Sequence, residues 1–175
     1  MTRTEIRIGL LMTAIGAVFC ACPSGWQPYD SDCFIVVNQN KTWFEANSDC
    51  NDRHPDGHLF YMDSSSYRYK HQLYKLGKSI NLTESDVYYL GAEKNASGWF
   101  WSNGNKLNAL ILSLINQDNI QPQENYLAVE YTTTYSNHKF KAVDGRSKYK
   151  YICGIEQKLV NISVKGMYLD LEKCC

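Results

Sequence analysis

The sequence predicts an α+β domain in which two helices flank a small antiparallel sheet with long loops above it. Three observations carry that expectation: an aromatic strand, turn and strand from Val87 to Gly104, a helix opened by a capping box at Thr42, and renewed apolar alternation from Leu127 to Tyr149. The first of these is the stretch around which the rest is arranged. Tyr89-Leu90-Gly91-Ala92 sets large apolar groups beside a glycine, the pattern of a central strand that another backbone approaches closely. Trp99-Phe100-Trp101 then runs into Ser102-Asn103-Gly104, where Asn-Gly tolerates positive φ in a tight turn. Each such aromatic removes roughly 150–250 Å² from water, so the run implies a core buried on both sides.

From the start of the chain, Arg3 and Arg7 precede an apolar run from Ile8 to Phe19 and then small residues, which reads as a secretory signal peptide over residues 1–20. Cleavage after Cys20 leaves Val18 and Cys20 where small side chains are wanted, whereas cleavage after Ala21 places Phe19 there. The run is shorter than the about 20 apolar residues of a comfortable span, so no membrane span is expected. The 175 residues, 44% of them hydrophobic and without an internal repeat, suit one domain. A formal net charge of zero argues against a protein-wide polyanion surface, and no nucleic-acid partner is expected. In an oxidising compartment cysteines are read first as disulfides.

Thr42-x-x-Glu45 forms the capping box, and Trp43, Ala46 or Asn47, and Cys50 then share one helical face. His54 and His58 are spaced as in a zinc helix, but Pro55 and Gly57 lie between them, so no regular helix presents both imidazoles and no metal is expected. Ser64-Ser65-Ser66 offers an N-cap for a second helix to about Leu76, with Tyr69, Leu73 and Leu76 facing inward and Gly77 stopping it. Asn40, Asn81, Asn95 and Asn161 each begin an Asn-x-Ser/Thr sequon. Leu127, Val129 and Tyr131 alternate as a strand, and Phe140 with Val143 and Tyr149 suggests two more. Leu107 to Ile120 is rich in Leu and Ile without an evident role. Val160, Ile162 and Val164 alternate in a tail that adds an edge strand or packs outside, before Cys174-Cys175 closes the chain.

Trp43-x-x-Ala46-x-x-x-Cys50, Tyr89-Leu90-Gly91-Ala92, Trp101-Ser102-Asn103-Gly104 and Lys150-Tyr151-Ile152-Cys153, in that order, resemble the C-type lectin-like domain. The resemblance covers about Cys22 to Glu156, so the expected domain is 21–156, followed by an extension over 157–175. It implies a Cys22–Cys33 bridge on the N-terminal hairpin of the long form, a Cys50–Cys153 bridge tying the ends of the domain, and a strand starting at His58-Leu59. Some members of the resembled family keep an uncleaved signal as an anchor, which is the alternative to cleavage here.

In calcium-dependent members of that family, a Pro-centred acidic or amide triplet, a further Glu and a late Asn-Asp pair hold a cation that binds sugar hydroxyls. The corresponding positions here are Gln121-Pro122-Gln123, Glu124 and Lys141-Ala142. Only Glu124 brings a carboxylate, so calcium is not expected and no cofactor is assigned. The family's inner disulfide would join what are here Tyr126 and Gly145, which leaves the ligand-bearing loop untied. Lys139, Lys141, Arg146, Lys148 and Lys150 stand against one acid, Asp144; strand parity would put Lys139 and Lys141 on one face and the other three on one face. That run is either a solvated face or an attraction for acidic ligands, so Gln121, Gln123, Glu124, Lys139 and Lys141 are the candidate ligand residues.

The expected function is a secreted, extracellular recognition module that binds protein or glycan without calcium. The alternative is a calcium-dependent carbohydrate-binding lectin with a degenerate site. No His, carboxylate and nucleophile set emerges at interpretable spacing, so no enzyme is expected. Adjacent cysteines rarely bond each other, so Cys174 or Cys175 is expected to link two chains in a homodimer.

Overall fold

The computed structural model of the chain describes residues 22–29, 32–62, 76–78, 86–115, 120–131 and 139–156. Its elements are β1 (Gln27–Tyr29), β2 (Asp32–Lys41), α1 (Trp43–Arg53), β3 (His58–Leu59), β4 (Asp86–Asn95), β5 (Gly98–Trp101), α2 (Ala109–Leu114), β6 (Tyr126–Tyr131), β7 (Lys139–Val143) and β8 (Tyr149–Glu156). The strands form one sheet in the order β1-β2-β8-β4-β6-β7, with β3 paired to β8 and β5 to β4.

The sheet is mixed, which corrects the antiparallel expectation. β8 runs antiparallel to β2 but parallel to β4, with Tyr88 opposite Lys150 and Tyr89 opposite Tyr151. The connection from β4 to β8 passes through β5, α2, β6 and β7 and returns the chain in the direction of β4, as a hairpin could not. Apolar alternation has the same period of two in either direction, so it could not reveal this.

That period divides the core in two. Tyr88 and Leu90 of β4, Leu127 and Val129 of β6 and Ile152 of β8 belong to one buried cluster, with Trp99 and Trp101. Tyr89, Ala128, Tyr151 and Cys153, the residues between them, belong to the other, with Trp43, Ala46 and Cys50 of α1. The Val87 to Gly104 stretch thus feeds both sides, as its aromatic content predicts. Gly91 is where backbones meet: its N–H donates to the Phe60 carbonyl at 2.8 Å, and a Cβ there would stand 2.2 Å from the Leu59 carbonyl oxygen. Gly104 has φ of +84° and donates to Trp101, closing the turn read from Asn103-Gly104.

At the start of α1 both halves of the capping box are made, between Thr42 and Glu45. Its Trp43 indole donates to the Leu90 carbonyl at 3.0 Å, and its Cys50 is bonded to Cys153. A second disulfide joins Cys22 to Cys33, where the β1–β2 hairpin begins. The helix read from Ser64 to Leu76 lies almost wholly outside the described residues; residues 76–78 are helical, so Gly77 does not end the helix as expected, and Leu76 is buried. The Leu- and Ile-rich segment supplies α2, capped by the Asn108 side chain, which accepts from the Ile111 N–H at 2.8 Å. Leu107, Ile111 and Ile115 enter the first core cluster, while Leu110 and Leu114 stay partly exposed. The segment read as a signal peptide, Asn81, Asn161, the alternating tail, Cys174 and Cys175 also lie outside the described residues.

Candidate functional site

Pro122 sits at the second position of a turn between Gln121 and Glu124, a place its fixed φ favours. The Glu124 N–H donates to the Gln121 carbonyl at 2.9 Å, and the Gln121 N–H donates to the Glu124 carboxylate at 2.8 Å. The Asn125 side-chain amide adds a bond to the Pro122 carbonyl at 2.8 Å. The one carboxylate of the candidate cation set is therefore already closing its own turn.

Lys141 is elsewhere. It faces Ala128 across the β6–β7 ladder, and its ammonium is paired with the Glu130 carboxylate at 2.7 Å. Glu130, and not Glu124, is thus the carboxylate that the Lys141 ammonium meets. Gln121, Gln123 and Glu124 are gathered together; Lys139 and Lys141 form a separate pair on β7, the end strand of the described sheet.

Calcium takes six to eight oxygen ligands. Two amide side chains, a carboxylate that accepts from backbone, an ion-paired ammonium at 141 and a methyl at Ala142 do not fit that requirement. Among the described residues no group of three or more His, Cys, Asp and Glu side chains is placed to hold a metal. His54 and His58 instead bond to the backbone of Asp56, one at its N–H and one at its carbonyl.

The cationic run is largely neutralised, by Asp144 within it and by Glu130 and Asp86, which the sequence did not point to. Arg146 pairs with Asp144 at 2.7 Å and Lys150 with Asp86 at 2.5 Å. Arg146 and Lys148 lie in the loop between β7 and β8, where the Ser147 N–H donates to the Asp144 carbonyl, so the strand parity read for Arg146, Lys148 and Lys150 does not hold. Lys139 and Lys148 are the members of the run without a carboxylate within ion-pair distance among the described residues.

The loop between β7 and β8 is tied without a bridge. A Cβ on Gly145 would fall 2.5 Å from the Tyr126 ring, so the aromatic occupies the space that any side chain at 145 would need. The Trp43 N–H donates to the Gly145 carbonyl at 2.9 Å, and the Tyr89 hydroxyl reaches the carbonyls of Asp144 and Ser147 at 3.0 and 2.8 Å. Burial pushes the Tyr89 phenol well above its ordinary range, so it remains a neutral donor. Phe44, 55% exposed, packs edge-on against Tyr126 at 5.2 Å and gives this loop an aromatic rim.

Beside it, an open groove along α1 is lined by Asn40, Lys41, Glu45, Ser48, Asp49, Asp52 and Lys148. Its centre is Asp49, which receives Lys41, Arg53 and the Tyr151 hydroxyl, each at 2.5 Å. Burial pushes the Asp49 carboxyl up, but these three donors outweigh it and hold the group down at about 2. The Asp49–Arg53 pair is an i,i+4 spacing readable in the sequence; Lys41 and Tyr151 arrive from β2 and β8 and are not.

The "Lectin C-type domain" family profile matches residues 39–155. "Snaclec 3" of Daboia siamensis is 30% identical over 110 residues, covering 59% of this chain and 71% of that protein. A snaclec of Echis carinatus, named for binding coagulation factor IX and factor X, is 34% identical over 89 residues, 50% of this chain and 68% of that one. The crystal structure of the C-type lectin domain of murine dendritic cell inhibitory receptor 2, in complex with an N-glycan, shares the fold at a TM-score of 0.60 and 19% identity, covering 78% of this chain and 99% of its own. The chain therefore belongs to the C-type lectin domain family, as a binding protein and not an enzyme.

Proposed function

We propose that the chain is a secreted extracellular recognition module that binds a protein or glycan ligand without calcium. The observation that carries this reading is the state of the cation positions: Glu124 closes its own turn, Lys141 is committed to Glu130, and Ala142 offers no donor. Cations at Lys139 and Lys148, exposed amides at Gln121 and Gln123 and the aromatic rim at Phe44 remain to contact a ligand directly. A relative whose name describes binding of coagulation factors IX and X supports a protein ligand within this family. The apolar N-terminus behind Arg3 and Arg7, together with two disulfides in the folded unit, supports export to an oxidising compartment.

The test is a glycan array and a panel of extracellular proteins probed with the secreted chain, in calcium and again in chelator. Equal binding in both supports the proposal; binding abolished by chelator would establish the calcium-dependent alternative. Retention on an acidic glycan such as heparin adds a finer measurement. Lys139→Ala should weaken it at low salt, and the difference should shrink as salt rises, because exposed charges are screened over about 8 Å at physiological ionic strength. Lys141→Ala should matter less, since its charge is already matched by Glu130.

A further inference from the structure

We propose that Asn95 is a site of N-linked glycosylation and that the glycan occupies the tip of the β4–β5 hairpin, beside the Gln121–Asn125 turn. The proposal rests on the reading of the chain as exported. Asn95-Ala96-Ser97 spans that tip, and all three residues are exposed. Asn95 pairs with Gly98 in the last rung of the ladder, and Gly98, with φ of +120°, has no atom within 4 Å of where its Cβ would be, so the space beside the tip is open.

The local geometry suits an acceptor. The Asn95 Oδ1 accepts from the Ser97 N–H at 2.8 Å, which fixes the carboxamide over the turn by its oxygen. The nitrogen of the same amide makes no bond to the described residues, and neither does the Ser97 hydroxyl. An Asx turn of this kind spans three residues, so it can form in the nascent chain before the sheet assembles. The other described sequon differs: Asn40 lies on β2, and its Thr42 hydroxyl is engaged with Glu45 in the capping box. Asn103 is an internal control, because it makes the same turn with the Asn105 N–H at 3.0 Å but has no Ser or Thr two residues on.

In the transfer, Asn95 Nδ2 bonds to the anomeric carbon of an oligosaccharide carried on a lipid pyrophosphate. The bond from that carbon to phosphate oxygen breaks, its electron pair leaves with the lipid pyrophosphate, and Nδ2 gives one proton to a base of the transferase. The Lys94 N–H donates to the Asn125 carbonyl at 2.8 Å, so the modified tip abuts the turn that holds Gln121, Gln123 and Glu124. A bulky glycan there would direct a macromolecular partner towards other surfaces.

The experiment expresses the full chain in a secreting eukaryotic cell and treats protein from the medium with a peptide amidase in heavy-oxygen water, which marks each formerly glycosylated Asn as labelled Asp. Label at Asn95 and none at Asn103 is the expected result. Asn95→Gln and, separately, Ser97→Ala should each remove one glycan's step in electrophoretic mobility. Secreted wild-type protein with unlabelled Asn95, or either variant migrating as wild type, would overturn the site while leaving calcium-independent recognition standing. A chain retained in cells without any glycan would overturn it together with the reading of export.

Discussion

Asp49 shows how much a single side chain holds. Three donors from β2, α1 and β8 converge on one carboxylate, joining the helix to the sheet on the same side as the Cys50–Cys153 bond. Its folded-state value of about 2 lies below the ordinary 3.8, so the ionised form stabilises the fold fully above about pH 4, and that contribution is lost as pH falls towards 2. Asp49→Asn should cost about 1–3 kcal/mol near neutrality, since it leaves the Tyr151 hydroxyl and two cations poorly matched. It should also flatten the acid limb; urea melts of both proteins across that pH window measure each effect, and equal slopes would count against the assignment. Of this cluster only the Asp49–Arg53 spacing was legible in the sequence. Tyr151 lies 102 positions from Asp49, and no local pattern reports a pairing that the sheet register decides.

At the level of elements, what was legible follows from periodicity and what was not follows from its limits. The capping box at Thr42, the two-sided core on β4, and the tight turn at Gly104 were all readable, because each is a local pattern with one cause. Strand direction was not, since parallel and antiparallel strands alternate alike. The basic run misled because the chain leaves β7 at Val143 and turns, so parity stops there. At the positions of the absent inner cysteines a ring and a glycine meet instead, a contact that no local pattern reports. Gly145→Ala should therefore destabilise the domain by about 1–3 kcal/mol through overpacking against Tyr126. Adding Tyr126→Leu should recover part of that loss, a coupling that a double-mutant cycle reads directly. Additive effects would show that the contact is incidental.

Across the whole molecule, the Cys50–Cys153 bond spans 103 residues and closes the described domain almost end to end. In the chain-entropy view a loop of that length restricts the unfolded state by about 4–5 kcal/mol, so Cys50→Ala with Cys153→Ala should lower the melting temperature steeply. Cys174 and Cys175 are proposed to link two chains: non-reducing electrophoresis should show a dimer that Cys174→Ser with Cys175→Ser abolishes, and a monomer from the wild type would contradict the link. The central proposal is that this domain of the C-type lectin family binds its ligand without calcium at Gln121, Gln123, Glu124 and Lys141-Ala142. Thermal unfolding of the secreted chain in millimolar calcium and again in chelator tests it most directly. A micromolar site would add about 4 kcal/mol at that concentration. The expected result is one melting temperature in both buffers; a clear rise in calcium that chelator reverses would show that Gln121, Gln123 and Glu124 still complete a site, and would contradict the claim.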